Sequence, residues 1–258
     1  MSELLDVIKA ILSSDNKDGN AAITEAEMQL SEKIVSEKMN ILCEYRSRLL
    51  EINKMVNLTR IVDHDEFDRR HYIDSLMCTQ SKEFRSSERI IDIGSGGGFP
   101  GVPLAVLFDN KEFVLMDSSG KRMKIVQQIC DELNIRNVTA IHGRAEELGR
   151  KAEYREQFDL CVSRAVASMS TLSEYCLPFV VKGGTFIAYK GPGSDAEISS
   201  AKNAVSLLGG YIDRVEETAD SSFAVSGNEG HRLVYIQKIK NTPEKYPRGG
   251  GKPSKKPL

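Results

Sequence analysis

A glycine-rich turn that follows a buried strand is the feature that most constrains the fold of this chain. The strand Arg89–Ile93 is followed directly by Gly94, Gly96 and Gly98. Glycines at these positions let the backbone turn tightly and approach a ligand without obstruction by a Cβ atom. The chain then enters a helix near Pro100–Pro103. Such a turn lies at the carboxyl edge of an open α/β sheet, where these sheets bind ligands.

Short apolar segments alternate with helical segments around this turn. The alternation predicts a parallel, doubly wound, Rossmann-like α/β sheet. A final antiparallel hairpin is typical of the seven-stranded sheet of class I methyltransferases rather than of most dinucleotide-binding folds. The predicted strands are Arg89–Ile93, Glu112–Met116, Val138–His142, Phe158–Val162, Thr185–Tyr189, Tyr211–Glu216 and Arg232–Ile239, and the predicted helices among them are Lys121–Leu133 and Asp195–Leu208.

The pattern divides the chain into three parts. Residues 1–80 are predicted to be a helical extension, because apolar residues recur at helical spacing from Glu25 to Ile52 and helical character continues from Asp63 to Thr79. Residues 81–240 are predicted to form the α/β domain. Residues 241–258 form a basic tail with four prolines, which we expect to be extended and partly disordered.

Charge and hydropathy limit the partners of the protein. The net charge of −2 argues against binding nucleic acid through bulk positive charge. The segment from Lys238 to Leu258, however, has seven basic residues and one acid. No apolar run approaches the roughly 18 residues needed to cross a bilayer, and Met1–Ser14 lacks the basic region of a secretory signal. We therefore expect a cytoplasmic protein without membrane contact.

The five cysteines predict neither a metal site nor a redox pair. They are widely spaced, without a C-x-x-C pair. Most lie among apolar neighbours, which is typical of buried reduced thiols. We expect a monomer that binds no metal.

Two cofactors compete for the glycine turn. The dinucleotide fingerprint G-x-G-x-x-G fails in the frame that begins at Gly94, because Phe99 stands at the third glycine position. A later frame satisfies the fingerprint but begins too far from the strand. Asp92, two residues before the first glycine, suits the ammonium group of a methionine moiety better than a pyrophosphate. The turn is therefore predicted to bind S-adenosylmethionine (AdoMet) rather than NAD.

Residues after the next three strands support a nucleotide site. Asp117 ends the second strand, 23 residues after Gly94, where a carboxylate can accept both ribose hydroxyls of either cofactor. The segment Gly143–Glu147 follows the third strand and supplies an acid near the expected adenine ring. The segment Ser163–Ala165 follows the fourth strand at the expected reactive edge.

The motifs and their order resemble the ribosomal RNA small subunit methyltransferase G family, also called glucose-inhibited division protein B. The resemblance extends from about Asn57 to Lys240, and the ending Thr242–Arg248 is similar to that of members from Gram-positive bacteria. One mild departure is Ser119 with Gly120, where many members carry a larger residue before Lys121. The matching stretches are Asn57–Thr59, His71–Leu76, Asp92–Gly101, Asp117–Arg122, Arg144–Glu146, Ser163–Ala165 and Lys190–Gly191.

The resemblance implies methylation of N7 of one guanosine in the 530 loop of bacterial 16S rRNA, with free rRNA or the 30S subunit as the partner. Guanine N7 carries an in-plane lone pair, so direct in-line transfer needs no general base, and we expect no catalytic residue. The implied cofactor contacts are Gly94, Phe99, Ala145, Glu146 and Arg164, and the glycine and ribose arguments add Gly96, Gly98 and Asp117.

Substrate contacts are expected from basic side chains that bind RNA phosphates in a salt-dependent manner, and from one histidine. The target base must lie unstacked, as in a structured RNA loop. The candidates are Arg60, His71, Lys121, Arg122, Lys190 and Arg248. Three alternatives stay open at this point: an NAD-dependent oxidoreductase, a small-molecule methyltransferase and a non-enzymatic rRNA-binding protein.

Overall fold

The computed structural model of the protein describes residues 2–14, 25–217 and 230–258. Seven strands in these residues form one sheet in the order β3-β2-β1-β4-β5-β7-β6. Strands β1 to β5 run parallel, and β7 pairs antiparallel with both β5 and β6. The predicted mostly parallel sheet with a terminal hairpin is thereby confirmed. The strands are β1 Arg89–Ile93, β2 Glu112–Asp117, β3 Val138–His142, β4 Phe158–Arg164, β5 Val180–Lys190, β6 Gly210–Glu217 and β7 Arg232–Lys238.

Helices precede the sheet and connect its strands. The predicted helices at 25–52 and 121–133 are confirmed within a residue at each end. A continuous helical stretch over 64–80 contains a π-helical segment, Asp68–Ile73, and a final 3-10 turn, Met77–Gln80. The α-helices are α1 Ser2–Ser14, α2 Glu25–Asn53, α3 His64–Phe67, α4 Asp74–Leu76, α5 Lys82–Ser86, α6 Gly101–Leu107, α7 Gly120–Glu132, α8 Ala145–Leu148, α9 Met169–Cys176, α10 Asp195–Ser200, α11 Lys202–Leu207 and α12 Lys252–Lys255.

Strand β5 begins five residues before the predicted start at Thr185. Gly183 and Gly184 lie inside this strand, and its pairing with β4 shifts register between Phe158 and Leu160. A Cβ atom on Gly184 would lie 2.6 Å from the carbonyl oxygen of Asp159. Glycine therefore permits close approach of two backbones at this irregularity.

The helix predicted from Asp195 to Leu208 is two helices, α10 and α11, separated at Ala201. The hydroxyl of Ser200 donates to the carbonyl oxygen of Glu197 at 2.9 Å. The N–H of Ala201 is shared between the carbonyl oxygens of Glu197 and Ile198. Competition of a serine side chain with the backbone ladder weakens the helix at this point.

The helical extension and the sheet share one hydrophobic core. Leu4 of α1, Tyr45 of α2 and Tyr72 of the π-helical segment are fully buried in the same cluster as Leu115 of β2 and Met123 of α7. Apolar burial of this kind contributes roughly 1.5–3 kcal/mol for each large side chain. The division at residue 80 stays a prediction, since the packed core runs across it.

The C-terminal tail is folded onto the sheet domain, and the expectation of an extended, partly disordered segment is wrong. The guanidinium of Arg155 donates to the carbonyl oxygens of Thr242 and Tyr246 at 2.6 and 2.9 Å. That of Arg150 donates to the carbonyl oxygen of Pro247 at 2.8 Å. Lys238, counted with the tail charges, is fully buried in β7, and burial lowers its pKa to about 8. Arg150, Arg155 and Lys238 therefore act within the protein.

Arg248→Met is expected to lower the free energy of unfolding by about 2 kcal/mol. Arg248 donates from Nη2 and Nε to Glu174 of α9, at 2.6 and 2.9 Å, and this carboxylate is fully buried. The backbone N–H of Arg248 also donates to it, at 2.7 Å, and remains in the variant. Urea unfolding measures the loss, with Lys252→Met as an exposed control. Equal stability of both variants and wild type would mean that Arg248 has no structural role.

Candidate functional site

The glycine turn after β1 is held by the end of β2. The N–H of Gly94 donates to the carbonyl oxygen of Met116 at 2.8 Å, and the N–H of Gly96 donates to Oδ2 of Asp117 at 3.0 Å. Oδ1 of Asp117 accepts from the N–H of Ser119 at 2.8 Å. The carboxylate thus fixes the turn and the start of α7 together.

Gly96 and Gly98 differ in what a side chain at each position would contact. Gly96 and Gly98 both adopt left-handed backbone conformations, with φ of 57° and 92°. A Cβ atom on Gly98 would lie 2.5 Å from Oη of Tyr45 and 2.7 Å from Cγ2 of Val102, so Gly98 faces the protein interior. A Cβ atom on Gly96 would meet no atom nearer than the carbonyl oxygen of Gly94, at 4.0 Å. Open space for a ligand therefore lies at Gly96.

Asp92 supports the turn from below. Its Oδ2 accepts from the N–H of Gly101, at 2.9 Å, at the start of α6. Burial raises the pKa of Asp92 to about 7. The side chain is 1% exposed and does not line the cavity beside the turn. Asp92 therefore holds the turn, and its predicted contact with a ligand's ammonium group stays a prediction.

The segment after β3 lies beside Asp117. His142, the last residue of β3, pairs with Asp117 in the sheet, and the N–H of Gly143 donates to the carbonyl oxygen of Asp117 at 3.1 Å. Ala145 and Glu146 begin α8, where the buried Glu146 carboxylate lies 3.2 Å from the guanidinium of Arg144. The ends of β1, β2 and β3 therefore bring these acids to one edge of the sheet.

The departure Ser119-Gly120 has a local explanation. The hydroxyl of Ser119 caps α7 by accepting from the N–H of Arg122. A Cβ atom on Gly120 would lie 3.1 Å from the ring of His142, so a larger residue would have to displace that ring.

A cavity of about 670 Å³ opens at the carboxyl ends of β1, β4 and β5. Four of the eight predicted cofactor residues line it, namely Gly94, Gly96, Phe99 and Arg164, together with the substrate candidates His71, Arg122 and Lys190. Gly98, Asp117, Ala145 and Glu146 do not line it, and neither do Arg60, Lys121 and Arg248. Arg60 and Lys121 are exposed.

Arg164, the last residue of β4, is held in an ionic network. Its Nη1 lies 2.6 Å from Oδ2 of Asp74 and 2.8 Å from the carbonyl oxygen of Arg70. Oδ1 of Asp74 lies 2.9 Å from Nδ1 of His231. Burial alone would raise the pKa of Asp74, but the hydrogen bonds from His231 and Arg164 outweigh it and lower that pKa. The guanidinium charge is therefore neutralised by a buried carboxylate.

His71 is neutral and stacked within the cavity. Its ring lies parallel to that of Phe99, with centroids 4.4 Å apart and an angle of 7° between planes. Nδ1 accepts from Nη2 of Arg164 at 3.2 Å, so Nε2–H is the donor to Oγ1 of Thr59 at 2.8 Å. Burial, and after it the charge of Arg164, lowers the pKa of His71 to about 3.

His71→Gln is expected to make the protein less sensitive to acid. Because the folded-state pKa of about 3 lies below the ordinary 6.5, the unfolded chain takes up the proton first as pH falls. Stability is therefore lost between pH 6.5 and 3, by about 2–3 kcal/mol from pH 7 to pH 4. Urea unfolding at both pH values should show this loss reduced in His71→Gln and unchanged in the exposed-residue control His64→Gln. Equal losses in all three proteins would contradict the assignment.

Asp74, His231 and Glu197 are among the cavity residues that sequence reasoning missed. Asp74 lies three residues after His71 in a helical stretch, and this spacing could have placed both on one face. No local signal marks His231, which meets Asp74 across 157 residues of chain.

No helix within residues 2–14, 25–217 and 230–258 is long and apolar enough to span a membrane. In the same part of the chain, no three His, Cys, Asp or Glu side chains cluster as metal ligands would.

Comparisons with known proteins give a family and a fold. The family model described as "GidB: rRNA small subunit methyltransferase G" matches residues 38–222. The chain is 42% identical to "Ribosomal RNA small subunit methyltransferase G" of Clostridium novyi over 239 residues, covering 93% of this chain and 95% of the relative. It is 44% identical to the protein of the same name from Alkaliphilus metalliredigens over 217 residues, covering 84% and 89%.

Solved structures with low sequence identity share the fold. A proposed O-methyltransferase from Klebsiella pneumoniae has a TM-score of 0.50 at 12% identity, covering 76% of this chain and 90% of its own. StiE O-MT has a TM-score of 0.50 at 11% identity, covering 67% and 75%. At this level of identity, the likeness extends to the fold alone.

Proposed function

Since the chain belongs to the rRNA small subunit methyltransferase G family, we propose that it transfers the methyl group of AdoMet to N7 of one guanosine in the 530 loop of 16S rRNA. The observation that carries the proposal is the cavity in which the glycine turn meets Arg164 and His71. A methyltransferase family also favours AdoMet over NAD for this turn. A ribosomal substrate implies a cytoplasmic protein.

The residues around the turn fit AdoMet. Gly96 leaves the open space that a ligand approaching the backbone requires. Each carboxylate oxygen of Asp117 accepts one backbone N–H and keeps a further lone pair. We therefore assign Asp117 to the ribose hydroxyls. Ala145 and Glu146 are proposed to adjoin the adenine, while Gly94, Phe99 and Arg164 are proposed to hold the methionine end. When bound, AdoMet supplies an electrophilic methyl group.

Methyl transfer to N7 requires the protein to orient the guanine, and it does not require the protein to move a proton. Guanine N7 attacks with its own lone pair, so the residues around it need only align it and exclude water. Positive charge develops on the guanine ring during this transfer, and a nearby cation would oppose it. Arg164 is neutralised by Asp74, and His71 is uncharged above pH 3. These two groups of the cavity wall are thereby suited to a base that becomes cationic.

RNA binding is proposed to depend on the exposed basic residues around the cavity. Arg60 and Lys121 are exposed, and Arg122 lines the cavity. These three are our candidates for phosphate contacts, which predicts affinity that falls steeply with salt. Lys190 and Arg248 are bound to the carboxylates of Glu197 and Glu174, so neither is available as an unpaired cation.

The test is a methylation assay with product mapping. The protein is incubated with labelled AdoMet and with under-methylated 16S rRNA or 30S subunits, and N7-methylguanine is located by chemical cleavage. One labelled guanine in the 530 loop is the expected result. Bound AdoMet with no label at any guanine N7 would contradict the proposed activity, and label on the RNA at another atom would redirect it.

A further inference from the structure

A lysine and a glutamate form a pair on the wall of the same cavity. Nζ of Lys190, the last residue of β5, lies 2.6 Å from Oε1 of Glu197 in α10, and both side chains line the cavity. Nζ also donates to the carbonyl oxygen of Ala167 at 2.8 Å. The lysine is held at two points, with 10% of its side chain exposed. The pair is therefore a fixed element of the wall.

The pair offers a row of three hydrogen-bonding groups. Among the hydrogen bonds of the described residues, Oε2 of Glu197 accepts none, and this side chain is 34% exposed. The row is acceptor Oε2, acceptor Oε1 and donor Nζ. Because the lysine charge is neutralised, the pair suits neutral polar groups better than a phosphate, which would be repelled by the carboxylate.

We propose that Glu197 and Lys190 read the Watson–Crick edge of the target guanine, an assignment that rests on the proposed function. This edge presents donor N2–H, donor N1–H and acceptor O6 in a row, which matches Oε2, Oε1 and Nζ in order. Adenine has the donor N6–H where guanine has the acceptor O6, and the acceptor N1 where guanine has the donor N1–H. Adenine therefore cannot pair with the same row. Flipped bases are read at this edge by such contacts.

The position of the pair agrees with transfer to N7. Strand β5 is separated from β1 by β4 alone, so its end lies roughly 10 Å from the glycine turn. N7 lies on the side of the purine away from N1 and N2. A guanine held at Glu197 therefore directs N7 back across the cavity, toward Gly96 and Arg164.

The test removes one hydrogen-bonding group from the base and one from the protein. Ligated 16S rRNA carries either guanosine or inosine, which lacks the N2 amine, at the position mapped for the wild type. Single-turnover methylation by wild type is expected to be about 10- to 100-fold slower on inosine, the loss of a hydrogen bond to a charged group. In Glu197→Ala, which removes both carboxylate acceptors, the guanosine rate should fall to the wild-type inosine rate or below it, and the ratio of the guanosine rate to the inosine rate should fall below about 3-fold.

Two other variants define the roles. Lys190→Met is expected to slow guanosine and inosine substrates by similar factors, because both bases keep O6. Asp195→Ala removes a carboxylate from the same helix α10, one that is 77% exposed and does not line the cavity, and should keep the wild-type ratio. AdoMet affinity by calorimetry should stay within about twofold in each variant, since the pair acts on the base.

Each other result overturns the assignment. The assignment is wrong if wild type methylates the inosine and guanosine substrates at the same rate. It is also wrong if Glu197→Ala discriminates between the two substrates as strongly as wild type does. A loss of AdoMet binding in Glu197→Ala would make the pair part of the cofactor site instead. Failure of the proposed function is distinct, because wild type would then leave every guanine N7 of the guanosine-containing RNA unmethylated.

Discussion

Gly98→Ala is expected to lower the free energy of unfolding by about 3 kcal/mol, whereas Gly96→Ala is expected to cost about 1 kcal/mol. Both residues have left-handed φ angles, so an alanine is strained at either position. Only at Gly98 does the added methyl also collide with buried groups, at 2.5 Å from the Tyr45 hydroxyl and 2.7 Å from Val102. The difference of about 2 kcal/mol reflects overpacking, together with the less favourable φ of 92° at Gly98.

The same two variants should have the opposite order in cofactor binding. The methyl of Gly96→Ala would project into open space beside the cavity, where a ligand must approach the backbone. We expect AdoMet affinity to fall at least about tenfold in Gly96→Ala, a cost of roughly 1.4 kcal/mol. Denaturant unfolding and calorimetric titration with AdoMet measure the two quantities on the same samples. Normal affinity in Gly96→Ala would show that the ligand does not lie against this turn.

The second large effect is expected at Arg164. Arg164→Met leaves the buried Asp74 carboxylate with His231 as its remaining partner, and should cost about 3 kcal/mol of the free energy of unfolding. It also removes the donor to Nδ1 of His71. Methylation should fall at least about 100-fold, because misplaced groups at a reaction centre have effects of this size.

A double variant separates stability from function at this position. Adding Asp74→Asn to Arg164→Met removes the uncompensated buried charge and should restore most of the lost stability without restoring methylation. Arg164→Lys keeps a charge near Asp74 but cannot supply all three donor contacts of the guanidinium. If the double variant regained activity together with stability, Arg164 would have only a structural role.

Local sequence patterns were sufficient to predict the architecture. The strands β1 and β3 were predicted to the residue, and β2 and β6 to within one residue at either end. Alternating short apolar runs and helical spacing reflect burial on a sheet, and this burial pattern is visible in the residues of each segment taken alone. The glycine turn and Asp117 were likewise predicted, since both lie at the strand ends that bind ligands in this architecture.

The tail shows where local patterns fail. Prolines and lysines predict an extended segment, but Arg150 and Arg155 donate to carbonyl groups of the tail, including those of Pro247 and Thr242. Arg248 neutralises Glu174. These partners lie 74 to 97 residues away in the chain. Composition describes a segment by itself and contains no information about distant donors.

Strand periodicity and turn chemistry are local properties, so they were enough to predict the parallel sheet, the glycine turn after β1 and the acid at the end of β2. Packing between distant elements turns Gly98 toward Tyr45 and leaves Gly96 in open space, and it joins Asp74 to Arg164 and His231. It also pairs Lys190 with Glu197 on the cavity wall. The physical reason is that the direction of a side chain and the pairing of a charge depend on which distant elements pack beside it.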